Sequence, residues 1–137
     1  MAKIRLVLVE DYNVLRDILR QRLVEDGEIE IVGETDDGEV AIEMARRLRP
    51  DVVVTDIAHS GPDGIEVARQ IVQHNDGVKV LVNTGYADRV YVKRCLDAGA
   101  RGYVLKDEVP ALVDAVKAVA AGELVLSPSI SKIVGSL

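Results

Sequence analysis

The chain switches hydrophobic period repeatedly: short apolar runs, read as strands, alternate with longer stretches whose apolar residues recur every three to four positions, read as helices. Strands that alternate with helices pack as a parallel sheet covered by helices, an α/β architecture. Five such pairs are legible. The strands are expected at Ile4 to Val9, Glu28 to Gly33, Val52 to Asp56, Lys79 to Asn83 and Gly102 to Leu105. The helices are expected at Tyr12 to Asp26, Gly38 to Leu48, Gly64 to His74, Ala87 to Ala98 and Pro110 to Ala121. Val52, Val53 and Val54 run without polar interruption, as a central strand covered on both faces does. The polar residues interleaved at 28–33 suggest an edge. Helical spacing puts Leu15, Ile18, Leu19 and Leu23 on one inner face, and Ile65, Ala68, Ile71 and Val72 on another. Arg49-Pro50 closes the second helix, and Pro110 suits a first helical turn.

At 137 residues the chain has the length of one domain, and the absence of Trp and Phe makes its core aliphatic. A formal net charge of -6 makes it a poor partner for nucleic acid or an anionic membrane, so any DNA contact has to come from elsewhere. A single cysteine cannot form an internal disulfide, which suits a reducing cytoplasm. Met1 to Glu10 carries too short an apolar run for a signal peptide, and no run approaches the ~18 apolar residues of a membrane span. A cytoplasmic protein is expected.

In an open parallel sheet, ligands bind beyond the carboxyl ends of the strands. The polar residues there are Glu10 and Asp11 after strand one, Asp56 after strand three, Thr84 after strand four and Lys106 after strand five. Three carboxylates this close repel one another unless a cation offsets their charge. Mg2+ suits them, because it takes hard oxygen ligands and pairs one or two carboxylates with a phosphoryl oxygen; no His/Cys cluster invites zinc. Beside such an ion, the Asp56 carboxylate can act as nucleophile on a phosphoryl donor. Lys106 and the metal would neutralise the equatorial oxygens, and Thr84 offers one of them a hydroxyl.

Glu10-Asp11, Asp56, Thr84 and Lys106 in this order, with Asp63-Gly64 after the acidic loop, resemble the response-regulator receiver family over Ile4 to Glu123. The resemblance implies a flavodoxin-like, doubly wound five-stranded sheet of order 2-1-3-4-5 with five flanking helices. It also implies that Asp56 is the phosphoacceptor, that Glu10, Asp11, Asp56 and the Ala58 carbonyl hold Mg2+, and that Thr84 and Lys106 contact the phosphoryl group. Tyr103, three residues before Lys106, resembles the family's switch aromatic. The partner so implied is a sensor histidine kinase, and the activity is a switch that promotes its own Mg-dependent phosphorylation and dephosphorylation rather than an enzyme with a separate substrate.

The segment 122–128, Gly-Glu-Leu-Val-Leu-Ser-Pro, and the pair Lys106-Asp107 are similar to receivers that precede a LuxR-type helix-turn-helix domain. This implies a receiver domain at 1–123 and, at 124–137, the start of a linker to a DNA-binding output domain absent from the chain, which is then a truncated regulator rather than a stand-alone receiver. A phosphorylation-dependent homodimer is the expected active form, since two-fold assembly matches palindromic DNA sites.

Two positions depart from the family pattern. His59-Ser60 stands where Met-Pro is common, and Asp107 stands where many receivers have a proline with a cis bond; a trans bond is expected here. Cys95 is expected to be buried with Val92 and Leu96. Tyr86 is placed either to shield the acyl phosphate or simply to pack on the rim. Other functions are a receiver-like module that is never phosphorylated, a haloacid-dehalogenase-like phosphatase and a flavodoxin-like electron carrier. The site residues argue against the first. The second needs a further acid where Ala58 stands, and Glu10-Asp11 would repel the phosphate of the third.

Overall fold

A computed structural model describes residues 2–58, 61–75 and 77–135. Its elements run β1 (Ile4–Val9), α1 (Asn13–Glu25), β2 (Ile29–Thr35), α2 (Gly38–Leu48), β3 (Val52–Thr55), α3 (Gly64–His74), β4 (Lys79–Thr84), α4 (Arg89–Asp97), β5 (Gly102–Leu105), α5 (Leu112–Ala120), β6 (Val125–Leu126) and α6 (Pro128–Val134), with a 3-10 helix over Lys106–Ala111. The sheet is parallel, in the order β2-β1-β3-β4-β5-β6. The expected order 2-1-3-4-5 is therefore present, extended by a sixth, two-residue strand.

Strand alternation divides the core into two layers. Leu6, Leu8, Val52, Val54, Leu81 and Val104 face α1 and α5, where they meet Leu19, Leu23, Leu112 and Val116. Val7, Val9, Val53, Val80, Val82 and Tyr103 face the other way, against Ala41, Ile65, Ile71, Val92 and Cys95. β3 is buried throughout because helices cover both its faces. Side-chain caps fix three helix starts: Asp37 accepts from the amides of Glu39 and Val40, Asp63 from Glu66, and Asp88 from Val90.

Several boundaries and faces differ from the sequence expectation. Ile18 is 50% exposed, because the buried stripe of α1 runs through Leu19 and Leu23 and leaves Ile18 on its flank. Val72 is likewise exposed, at the margin of α3 beside Gly99. The fourth helix begins at Arg89 rather than Ala87, because Asp88 caps it. The expected helix from Pro110 is split: Pro110 lies in the 3-10 helix, where Glu108 has non-helical dihedrals, and α5 starts at Leu112. Among the described residues every peptide bond is trans, that of Lys106-Asp107 included.

The segment read as the start of a linker folds back on the domain. Val125 and Leu126 pair with Gly102 and Tyr103 at the outer edge of β5. The Ser127 amide donates to the Tyr103 carbonyl at 3.0 Å, and the Leu105 amide donates to Ser127 Oγ at 3.3 Å. Ile130 is fully buried in the same layer as Tyr103 and Val92, with Ile133 and Val134 packed beside it. No described helix is long and apolar enough to cross a membrane.

Candidate functional site

The order in which strands are added reverses between β1 and β3, and the residues that follow their ends meet there. The Glu10 amide donates to the Thr35 carbonyl and the Asp56 amide to the Val9 carbonyl, so strand-like pairing continues into both acids. Glu10 is 1% exposed and Asp56 6%. Lys106 follows β5 and reaches back to both: its Nζ lies 2.5 Å from Asp56 Oδ2 and 3.0 Å from Glu10 Oε1.

Backbone donors hold each carboxylate from its other side. The Ile57 amide donates to Asp56 Oδ1 at 2.6 Å, and the Tyr12 amide to Glu10 Oε2 at 3.1 Å. Arg16, from α1, donates to the Glu10 carbonyl at 2.7 Å and also faces Glu34. Charge in the site is thus offset by a lysine held in place. Burial pulls the Lys106 ammonium toward its neutral form, but the hydrogen bonds it donates to Asp56 and Glu10 and their negative charge outweigh this and hold its pKa above the ordinary lysine value.

The turn after Asp56 is shaped by a close backbone approach. The Gly64 amide donates to the Ile57 carbonyl at 2.7 Å, and a Cβ on Gly64 would sit 1.9 Å from the Asp56 carbonyl oxygen. Only glycine allows the N-terminus of α3 to lie this close. That is the physical content of the Asp63-Gly64 pair: Asp63 caps the helix and Gly64 lets it abut the chain at Asp56.

Thr84 and Tyr103 are both buried, Tyr103 in the layer that also holds Val82 and Val92. They are joined through Tyr86. Its amide donates to Thr84 Oγ1 at 3.4 Å, and its carbonyl accepts from the Tyr103 hydroxyl at 2.5 Å. The Tyr86 ring leans on Tyr91 of α4, centroids 5.2 Å apart. Burial, with nearby Cys95 and Asp56 adding to it, drives the Tyr103 phenol pKa upward, so the ring stays neutral. Cys95 is buried as expected, its thiol pushed up to about 12 by desolvation.

Of the residues singled out in the sequence, Glu10, Asp56 and Lys106 are in direct contact. Thr84 and Tyr103 form the linked pair behind them. Asp11 and Ala58 lie exposed on the rim, and His59 and Ser60 lie outside the described residues. Among the described residues no three His, Cys, Asp or Glu side chains converge as a metal cluster; the position between Glu10 and Asp56 is taken by an ammonium. The donor set there, two buried carboxylates sharing one cation with a third acid next in sequence, is all oxygen and suits a hard cation. Sequence reasoning passed over Asn83, buried beside Thr84, although an asparagine after Val80-Leu81-Val82 breaks an apolar run.

The family model described as response regulator receiver domain matches residues 6–117. The transcriptional regulatory protein DegU of Brevibacillus brevis is 36% identical over 130 residues, which cover 94% of this chain and 55% of that protein. The transcriptional regulatory protein LiaR of Bacillus subtilis is 35% identical over 135 residues, 98% of this chain and 63% of that one. The chain thus spans less than two-thirds of these relatives. A LuxR-family two-component response regulator from Aurantimonas superposes with a TM-score of 0.93 at 31% identity, over 98% of this chain and 97% of that one.

Proposed function

Because this chain belongs to the response regulator receiver domain family, we propose that it is a phosphorylation-driven switch whose phosphoacceptor is Asp56. The observation that carries this reading is the Lys106 ammonium bridging Asp56 Oδ2 and Glu10 Oε1 at the reversal point of the sheet. Asp56 Oδ1 is fixed by the Ile57 amide, which leaves Oδ2, shared with a side chain that can move, as the attacking atom. A bond forms from Oδ2 to phosphorus as the bond from phosphorus to the donor's leaving atom breaks, and the electron pair departs with that atom. Lys106 follows its charge to a phosphoryl oxygen, and the Thr84 hydroxyl donates to another. Glu10, Asp11, Asp56 and the Ala58 carbonyl would hold Mg2+, which when bound neutralises phosphoryl charge.

Thr84 acts at the output end as well. Drawing it toward the phosphoryl group strains the Tyr86 amide contact, and through the Tyr86 carbonyl this reaches Tyr103, Ser127 and the 125–134 segment. Phosphorylation thereby biases a two-state equilibrium. The donor is a sensor histidine kinase, the working compartment is the cytoplasm, and the active form is a homodimer. The receiver, expected at residues 1–123, is extended by β6 and α6 packed on its edge, and 124–137 lead toward a DNA-binding output domain, a reading supported by the greater length of the transcriptional regulators it resembles. DNA is met only through that domain.

Titrating the chain with beryllium fluoride and Mg2+ tests the switch. The amide resonances of Thr84, Tyr86 and Tyr103 shift together in the wild type and stay still in Asp56→Asn. Shifts confined to Asp56 and its neighbours would contradict the coupling.

A further inference from the structure

Asn83 is 2% exposed; its Nδ2 donates to the Val104 carbonyl at 3.2 Å, while its Oδ1, buried, has no partner among the described residues. A buried acceptor left open costs stability, and such groups call for an explanation. The strand register supplies one. Leu8, Val54, Leu81 and Gly102 are successive register partners across β1, β3, β4 and β5. Two residues on, along the same face, come Glu10, Asp56, Asn83 and Val104. Asn83 and Val104 are themselves partners, and Lys106 is the next residue of β5's line on that face.

To reach Asp56 beyond β3 and Glu10 beyond β1, the Lys106 side chain has to cross β4; on that face β4's line offers Gly85, level with Lys106, and Asn83, level with Val104, so Asn83 carries the one side chain beside the crossing. By extension of the same register Asn83 is the neighbour of Asp56 across β3 and β4, so the side chain with the open oxygen belongs to the face that the ammonium crosses. Building on the phosphoacceptor reading above, we propose that Asn83 is a positioning residue: its Oδ1 accepts from the Lys106 ammonium once that group leaves the two carboxylates for a phosphoryl oxygen. Two of the three ammonium donors go to Glu10 and Asp56 in the structure. When a phosphoryl group and its counter-cation occupy the carboxylates, the ammonium needs an acceptor on the sheet side to stay aimed at the phosphoryl oxygen, and Asn83 is the side chain that can provide it. The Nδ2 bond to Val104 fixes the amide so that its oxygen, not its nitrogen, is the free end.

The test is the rate at which acetyl phosphate with Mg2+ adds a phosphoryl group to the full chain, followed by intact mass over minutes to a day. It compares the wild type, Asn83→Leu, Lys106→Ala and the double variant, with thermal midpoints alongside. Asn83→Leu keeps the volume and removes the acceptor; Asn83→Ala serves if leucine disturbs the packing. The expected result is phosphorylation slowed about tenfold with the thermal midpoint held or raised, the slowing vanishing in the Lys106→Ala background. Where Lys106→Ala reacts too slowly to follow, the Asn83 side-chain amide signal gives the same answer: on saturation with beryllium fluoride it shifts in the wild type and not in Lys106→Ala. Equal rates for wild type and Asn83→Leu, or the same slowing with Lys106 absent, would overturn the inference while leaving Asp56 as acceptor. A wild-type chain that takes no phosphoryl group and binds no beryllium fluoride would overturn both.

Discussion

The Tyr103 hydroxyl donates to the Tyr86 carbonyl at 2.5 Å, so the buried ring at the middle of β5 is tied to the loop that follows Thr84. One residue thus takes a hydrogen bond at its carbonyl from the expected switch aromatic and gives one from its amide to the expected phosphoryl contact. The hydrogen-bonded route between the two side chains therefore runs through the Tyr86 backbone.

Tyr103→Phe removes that bond while keeping the ring. Stability should fall by about 1 kcal/mol, the usual net worth of such a bond, measured by urea denaturation. The Thr84 amide resonance should then respond to beryllium fluoride while Ser127 and Ile130 do not. A tail response as large as that of the wild type would show that coupling takes another route.

Lys106→Met leaves Glu10 and Asp56 adjacent with no cation between them. The variant should lose roughly 3 kcal/mol, because one partner of a buried charge cluster has been removed. Mg2+ should then raise its thermal midpoint more than it raises that of the wild type, since the ion binds the folded state and replaces the missing charge. Equal gains in the two proteins would mean that the carboxylates do not share the ion.

Gly64→Ala places a methyl group against the Asp56 carbonyl, where only backbone movement can relieve the clash. A loss of about 3 kcal/mol is expected, together with slower phosphorylation, because the acceptor strand and the N-terminus of α3 must part. Urea denaturation and acetyl phosphate labelling of the same sample check both.

Alkaline pH should destabilise the fold. Cys95 goes from an unfolded value of 9.0 to about 12, and Tyr103 and Lys106 are raised above 10.0 and 10.5. In each case the folded state keeps a proton that the unfolded state releases. Stability is therefore full below pH 9 and falls as pH rises past it, by up to about 1.4 kcal/mol per pH unit for each proton held. Urea midpoints measured from pH 8 to 11 should decline, and Cys95→Ala should flatten the part of the decline between 9 and 10. The Cys95 thiol should react with a disulfide reagent only as the chain unfolds.

Much of the sheet was legible because its signals are local. The unbroken Val52-Val53-Val54 run marked the central strand, and the acids and lysine at successive strand ends marked the rim. What escaped depends on tertiary context. Ile18 has helical spacing but sits on the flank of the stripe that α1 buries. Val125-Leu126 is too short to announce a strand and becomes one only because the edge of β5 is open. Pro110 and Glu108 turn the chain through a 3-10 helix before α5 can begin, which a first-turn proline does not by itself reveal. Asn83 reads as one more strand residue until the register sets it between Asp56 and Val104.

The most direct measurement of the central claim is intact mass after incubation with acetyl phosphate and Mg2+, beside an Asp56→Asn variant and a sample with chelator. The account predicts one added phosphoryl group on the wild type and none on either control. An adduct that persists in Asp56→Asn, or a wild type that stays unmodified while beryllium fluoride also fails to bind, would contradict it.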